Sequence, residues 1–261
     1  MNMHSQHLSS FRAWFPLSIL AGLLLWSGGC ASISPAEKKL MAQQKYESAQ
    51  NPGYSRQEQY KLIKEAIRMS PKEPLYRVGL GDIYFKDEKL DKAEKMYLSA
   101  IKVDPDYKMT YRMLGRLYMQ KGQWDDATLY LTKTLRQPNV INPVQLYNWL
   151  GYSEYRKGDL PKAEKAWLRA LDINDNDKIR LNLALIYKEG NRLDLAQASL
   201  LKALEMNPKL PSAHFALGEI YYKRNKFGMA KKHFSEVIHL EPLSQQAKAS
   251  QAILNKLSAK K

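Results

Sequence analysis

Alanine recurs at positions 93, 127, 163, 196 and 230, at spacings of 34, 36, 33 and 34 residues. Other residues recur with it in register. Leu80-Gly81, Tyr84, Tyr97, Ala100 and Pro105 surround the first alanine; Leu114-Gly115, Tyr118 and Leu131 surround the second. Leu150-Gly151, Trp167 and Ala170 follow, then Leu183-Ala184, Tyr187, Leu200, Ala203 and Pro208, then Leu217-Gly218, Tyr221, Phe234 and Pro242. Pro71 lies 34 before Pro105, and Ala66 lies 34 before Ala100, so a degenerate sixth unit opens the array. A unit this short cannot bury its own apolar side. It becomes stable only by stacking on identical neighbours, which restricts the chain to an open superhelix of repeats.

The residue types say what each unit is. Leu and the large aromatics plug the space between two antiparallel helices. The small residues Gly81, Gly115, Gly151, Ala184 and Gly218 let a neighbouring helix approach closely, as do the recurring alanines. Pro71, Pro105, Pro208 and Pro242 end the second helix, because proline lacks an amide donor and restricts the residue before it. Gly122, Gly158, Asn191 and Asn225 tolerate the left-handed backbone of a helix stop. Asp159 followed by Pro161 reads as a cap and first turn.

The period and pattern resemble the tetratricopeptide repeat (TPR), over most of the chain beyond residue 35. The expected fold is all-α: a right-handed superhelix of about six helix-turn-helix repeats and a C-terminal capping helix. The expected array spans 36–244, with a degenerate repeat at 36–73 and repeats at 74–107, 108–143, 144–176, 177–210 and 211–244. First helices are expected near 74–87, 108–121, 144–157, 177–190 and 211–224, and second helices near 90–103, 124–136, 160–172, 193–206 and 227–240. Residues 245–261 form a capping helix and basic tail, and Asn51-Pro52-Gly53 is a turn within the first repeat. Residues 137–144 enlarge one joint, as a tolerated insertion or as a kink that shapes the groove.

The N-terminus is of another kind. Arg12 precedes an apolar run of 14 residues, Ala13 to Trp26, then Ser27-Gly28-Gly29 and Cys30, the one cysteine in the chain. A span needs about 20 apolar residues; this run has the length of an export-signal core. On the residues alone, the segment is an ordinary cleaved signal, an uncleaved anchor or a lipidation signal. It resembles a bacterial lipobox, although Ser27 stands where that family usually has Leu. The resemblance implies a lipoprotein signal at 1–29, acylation of Cys30 and a lipidated tether at 30–35. Ala31 and Ser32 then imply sorting to the outer membrane, facing the periplasm. Two or more acyl chains hold a protein stably where one does not.

By the same TPR resemblance, the first helix of each repeat lines a concave groove. Carried over by position, the lining is Val78, Asp82, Phe85, Arg112, Arg116, Met119, Asn148, Tyr152, Tyr155, Arg156, Leu181, Leu185, Lys188, Phe215, Glu219 and Tyr222. Arginines beside tyrosines suit an extended peptide with acidic and apolar residues. The carboxylate clamp of chaperone-binding TPRs does not match, because Val78-Asp82 and Leu181-Leu185 occupy its positions.

Catalysis finds no motif. His214, His233 and His239 all fall in the last repeat, and His233 and His239, six apart, do not share a helix face. No metal, cofactor or small-molecule substrate is implied. The formal charge of +15 on 261 residues, with 41 Lys+Arg against 26 Asp+Glu, is scattered over many helices rather than gathered in a nucleic-acid motif. It fits acidic protein, anionic lipid or cell-wall polymer. A lipobox before about six TPRs resembles the type IV pilus biogenesis lipoproteins of the PilF/PilW type, which implies a secretin as partner. The rival is a TPR lipoprotein adaptor for cell-wall enzymes or polysaccharide export.

Overall fold

The computed structural model describes residues 33–259. The expected signal segment and Cys30 lie outside the described residues, as do Lys260 and Lys261. The described residues form 13 α-helices and no strands. They run as antiparallel pairs: α1 (Pro35–Ala49) with α2 (Arg56–Met69), α3 (Pro74–Lys86) with α4 (Leu90–Val103), and α5 (Lys108–Lys121) with α6 (Trp124–Leu135). Then come α7 (Pro143–Arg156) with α8 (Leu160–Ile173), α9 (Asp177–Glu189) with α10 (Leu193–Met206), and α11 (Pro211–Lys223) with α12 (Phe227–Leu240). The last helix, α13 (Gln245–Ser258), packs on α12 and α11. No described helix is long and apolar enough to cross a membrane.

The helix ends follow local chemistry. Ser34 and Ser55 each build a capping box, with Glu37 and Glu58. Asp159 Oδ1 accepts from the Lys162 amide at 3.1 Å. Second helices stop two residues before Pro71, Pro105, Pro208 and Pro242. Left-handed residues close the turns inside repeats at Gly122, Gly158, Asn191 and Asn225, and also at Glu88, which nothing in its residue type announces. The widened joint contains two more, Asn139 and Asn142.

Four of the pairs are sealed by one large side chain from the second helix against a glycine on the first: Tyr97 on Gly81, Leu131 on Gly115, Trp167 on Gly151 and Phe234 on Gly218. Trp167 lies so close to Gly151 that an added Cβ would sit 2.6 Å from its Nε1. Neighbouring repeats are then stitched in ionic register. Lys121 at the end of α5 reaches Asp91 and Glu94 on α4, Lys157 reaches Asp125, and Arg224 reaches Asp194. These pairs are partly exposed, so each contributes at most about 1 kcal/mol. Apolar burial carries the stack, and the ion pairs set its register.

The buried core is continuous only in stretches. One cluster runs from Ala163 through Trp167, Leu183, Leu200 and Leu217 to Phe234. A second runs from Val78 through Tyr97 and Leu114 to Ala127. Two small clusters hold the first repeat, around Ile63 and Tyr76. The boundary between the two large clusters falls at the widened joint between α6 and α7.

Candidate functional site

Four of the predicted groove residues meet in one place. Arg116 and Met119 from α5, with Tyr152 and Arg156 from α7, line a cavity of about 530 Å³, together with Trp124 at the start of α6 and Trp149 on α7. The rings hold the guanidiniums. Arg156 Cζ lies 4.5 Å from the centre of the Trp124 ring and 5.8 Å from that of Tyr152, whose hydroxyl accepts from Arg156 Nη1 at 2.9 Å. Trp124 and Tyr152 meet edge to face at 5.8 Å. Arg116 stacks at 4.6 Å on Phe85, which brings a fifth predicted residue to the site. Arg112, the sixth, lies 5.8 Å from Trp149 and donates to Gln145 Oε1 at 3.2 Å. Among the described residues, no carboxylate stands within ion-pair distance of Arg112, Arg116 or Arg156. Asp82 is committed elsewhere: it accepts from Tyr97 Oη at 2.7 Å, and burial pushes its carboxyl above the usual carboxylate range.

The remaining predicted residues do other things. Asn148 Oδ1 accepts from Trp167 Nε1 at 3.0 Å and from Asn182 Nδ2 at 3.1 Å, so its carbonyl positions the helices. Tyr155 donates to Glu189 Oε1 at 2.7 Å, and that bond holds its own proton more tightly than usual. Leu185, Lys188 and Phe215 line a separate hollow of about 320 Å³ between α9 and α11, closed by Gln246 of α13, and Glu219 neutralises Lys188 at 2.7 Å. Tyr222 packs on Phe227, 5.8 Å between ring centres, apart from both hollows. Val78 is buried in the core.

Sequence reasoning omitted Trp124 and Trp149. The first opens a second helix, and only first helices were expected to line the groove. The second adjoins the Leu150-Gly151 pair, and its position is not among those carried over from the repeat family. Trp124 stands at the register position of Leu90, Leu160, Leu193 and Phe227, and the available signal was that the largest of these side chains opens the helix beside the widened joint. A further hollow of about 960 Å³, lined by Ile67, Leu80, Tyr84 and Met96 with Lys61, Lys64 and Arg68 around it, has no counterpart in the expected groove.

The histidines also pair differently from the sequence pattern. His214 on α11 and His233 on α12 face each other, Nδ1 to Nδ1, at 3.0 Å. Among the described residues, no group of three or more His, Cys, Asp or Glu could hold a metal.

Comparison with known proteins agrees with this architecture. Tetratricopeptide repeat profiles match residues 76–107 and 112–178, and a TPR repeat profile matches residues 184–225. The chain is a tetratricopeptide repeat protein, a class of generally non-enzymatic scaffolds that bind protein partners. It is similar to the anaphase-promoting complex subunit CDC16 of Saccharomyces cerevisiae, 24% identical over 219 residues, which cover 69% of this chain and 26% of that protein. It is also similar to the TPR repeat-containing protein MJ1428 of Methanocaldococcus jannaschii, 27% identical over 239 residues, 72% of this chain and 42% of that one. The chain thus spans less than half the length of either relative. Among solved structures, PilF of Pseudomonas aeruginosa superposes with a TM-score of 0.65 at 13% identity, covering 84% of this chain and 98% of PilF. PilW, a widely conserved type IV pilus biogenesis factor, gives 0.63 at 19% identity, with coverage of 84% and 98%. YrrB, a TPR protein with an unusual peptide-binding site, gives 0.62 at 18% identity over 73% of this chain and 97% of YrrB. At these identities the likeness is one of fold.

Proposed function

We propose that this chain is a lipid-anchored scaffold of the cell envelope that grips an extended segment of a partner protein in its concave groove. The observation that carries the reading is the run of three arginines, 112, 116 and 156, stacked on aromatic rings and left without carboxylates. Arginine and aromatic side chains are enriched among the residues that dominate protein interfaces. Cys30, after its apolar run, supports outer-membrane anchoring on the periplasmic side. The near-complete mutual coverage with PilF and PilW supports assembly of a type IV pilus secretin as the particular task.

Two measurements test this. Deleting the gene in a piliated host should abolish secretin multimers; multimers at the normal level sink the secretin assignment and leave cell-wall enzymes or polysaccharide export as the machines to examine. Replacing Arg112, Arg116 and Arg156 together by Ala should weaken cross-linked capture of the partner while the helical circular dichroism stays intact. Unchanged capture removes the groove from the mechanism.

A further inference from the structure

We infer that the seat between α5, α6 and α7 selects a peptide segment in which carboxylates flank a large apolar side chain. The inference rests on the groove reading above and adds the chemistry of the ligand. The first argument is charge. Lysines neighbouring the seat are already satisfied: Lys121 by Asp91 and Glu94, Lys157 by Asp125 and Glu154, and Lys188, further along, by Glu219. Arg116 and Arg156 are exposed and make no ion pair among the described residues; the same holds for Lys86 beside Phe85, and the Asp82 carboxylate is near enough to Arg116 and Lys86 to feel their charge. The arginine Cζ atoms lie over ring faces, 4.6 and 4.5 Å from the ring centres, a weak attraction that holds a guanidinium in place while leaving most of its N–H donors free. A planar, oriented guanidinium is the group that grips a carboxylate through two parallel bonds.

The second argument is shape. Besides the two arginines the walls are Trp124, Trp149, Tyr152 and Met119 on the apolar side, and Gln120, Lys121 and Gly122 on the polar side. About 530 Å³ admits a large side chain with its flanking backbone and no folded domain. An apolar group there covers indole faces, and the carboxylates beside it meet the arginines. A purely acidic strand would leave the rings wet, and a purely apolar one would bury two cations without partners. A phosphate polyanion needs a continuous cationic track, and the neutralised lysines interrupt one.

The test uses the full chain in detergent and fluorescein-labelled Gly-Ser peptides carrying Glu-Phe-Glu, Gln-Phe-Gln or Glu-Ser-Glu at the centre. Anisotropy gives affinity; two of the chain's five tryptophans line the seat, so the part of the emission change that Trp124→Phe removes reports it. Glu-Phe-Glu should bind about ten-fold more tightly than either control, the scale of a charge-assisted pair. It should also shift the tryptophan emission. Arg116→Gln with Arg156→Gln should erase the preference for Glu over Gln while leaving the preference for Phe over Ser. Trp124→Ala should do the reverse. Equal binding of the three peptides overturns the inference, even if a variant fails to fold. So does a thymidine oligonucleotide that binds as tightly as Glu-Phe-Glu and is displaced by it. The two readings fail separately: secretin multimers can persist in a deletion strain while the peptide preference holds, and partner capture can survive with no preference among peptides.

Discussion

At Gly151 a single hydrogen atom decides how close two helices come. A methyl group there would meet the Trp167 indole at 2.6 Å, and that indole is tied to the same helix by its bond to Asn148 Oδ1. Backing away from the methyl would stretch that bond. Gly151→Ala should therefore cost about 1–3 kcal/mol by overpacking, although alanine is the better helix former. Urea unfolding checks it: the midpoint falls with the slope unchanged. A variant as stable as wild type would mean that α7 and α8 slide freely. This position was readable from the repeat, because small residues recur before large ones at one spacing. The role of Trp124 and Trp149 was not: the first occupies a position that is large and apolar in every regular repeat, like Leu90 and Phe227, and the second has no fixed counterpart in the register. They became meaningful only when the fold set Trp124 and Tyr152 edge to face beneath Arg156.

The helices themselves were legible because prolines, caps and left-handed stops bound them chemically. Contacts between helices were less so. His233 and His239 looked like the pair to compare because they lie on one helix. The true partner, His214, sits on α11, 19 residues earlier. Its Nε2 bonds the Pro208 carbonyl at 3.0 Å, and a carbonyl only accepts, so Nε2 carries the proton. Nδ1 of His214 must then accept from Nδ1–H of His233. Tyr221 stacks on His233, with ring centres 5.4 Å apart. Burial, aided by His214 and Lys232, pushes the His233 pKa down to about 4. An unfolded histidine titrates near 6.5, so between these values the unfolded chain binds the extra proton. The contribution is fully present above about pH 6.5 and is lost as pH falls toward 4, an effect of order 2–3 kcal/mol. Stability measured between pH 7 and 4.5 should fall more steeply in wild type than in His233→Leu. Parallel curves would show that the pair does not titrate with folding.

Over the whole molecule, stability is a sum of local terms and neighbour interfaces, so an array of this kind unfolds unevenly. The C-terminal half shares one large buried cluster, from Ala163 to Phe234, and α13 covers its end. The first repeat relies on two small clusters around Ile63 and Tyr76. Between Ala127 and Ala163 the large clusters do not join, and there the chain inserts the joint with Asn139 and Asn142 in left-handed conformation and Ile141 71% exposed. The arginine–tryptophan seat is built across this seam, from α5 and α6 on one side and α7 on the other. A ligand held by Arg116 and Arg156 together would add a tie between α5 and α7 across this joint, beside the buried Leu131 and Leu146. Amide hydrogen exchange should then show α1 and α2 opening first and α9 to α12 last, with α3 to α6 exchanging as an intermediate unit. Adding the Glu-Phe-Glu peptide should slow α5 to α7 and draw the exchange of α3 to α6 toward that of the C-terminal half, because binding favours only conformations in which both sides of the seam are folded. Protection confined to the residues touching the peptide would mean that the seam is already rigid and the groove is a preformed shelf.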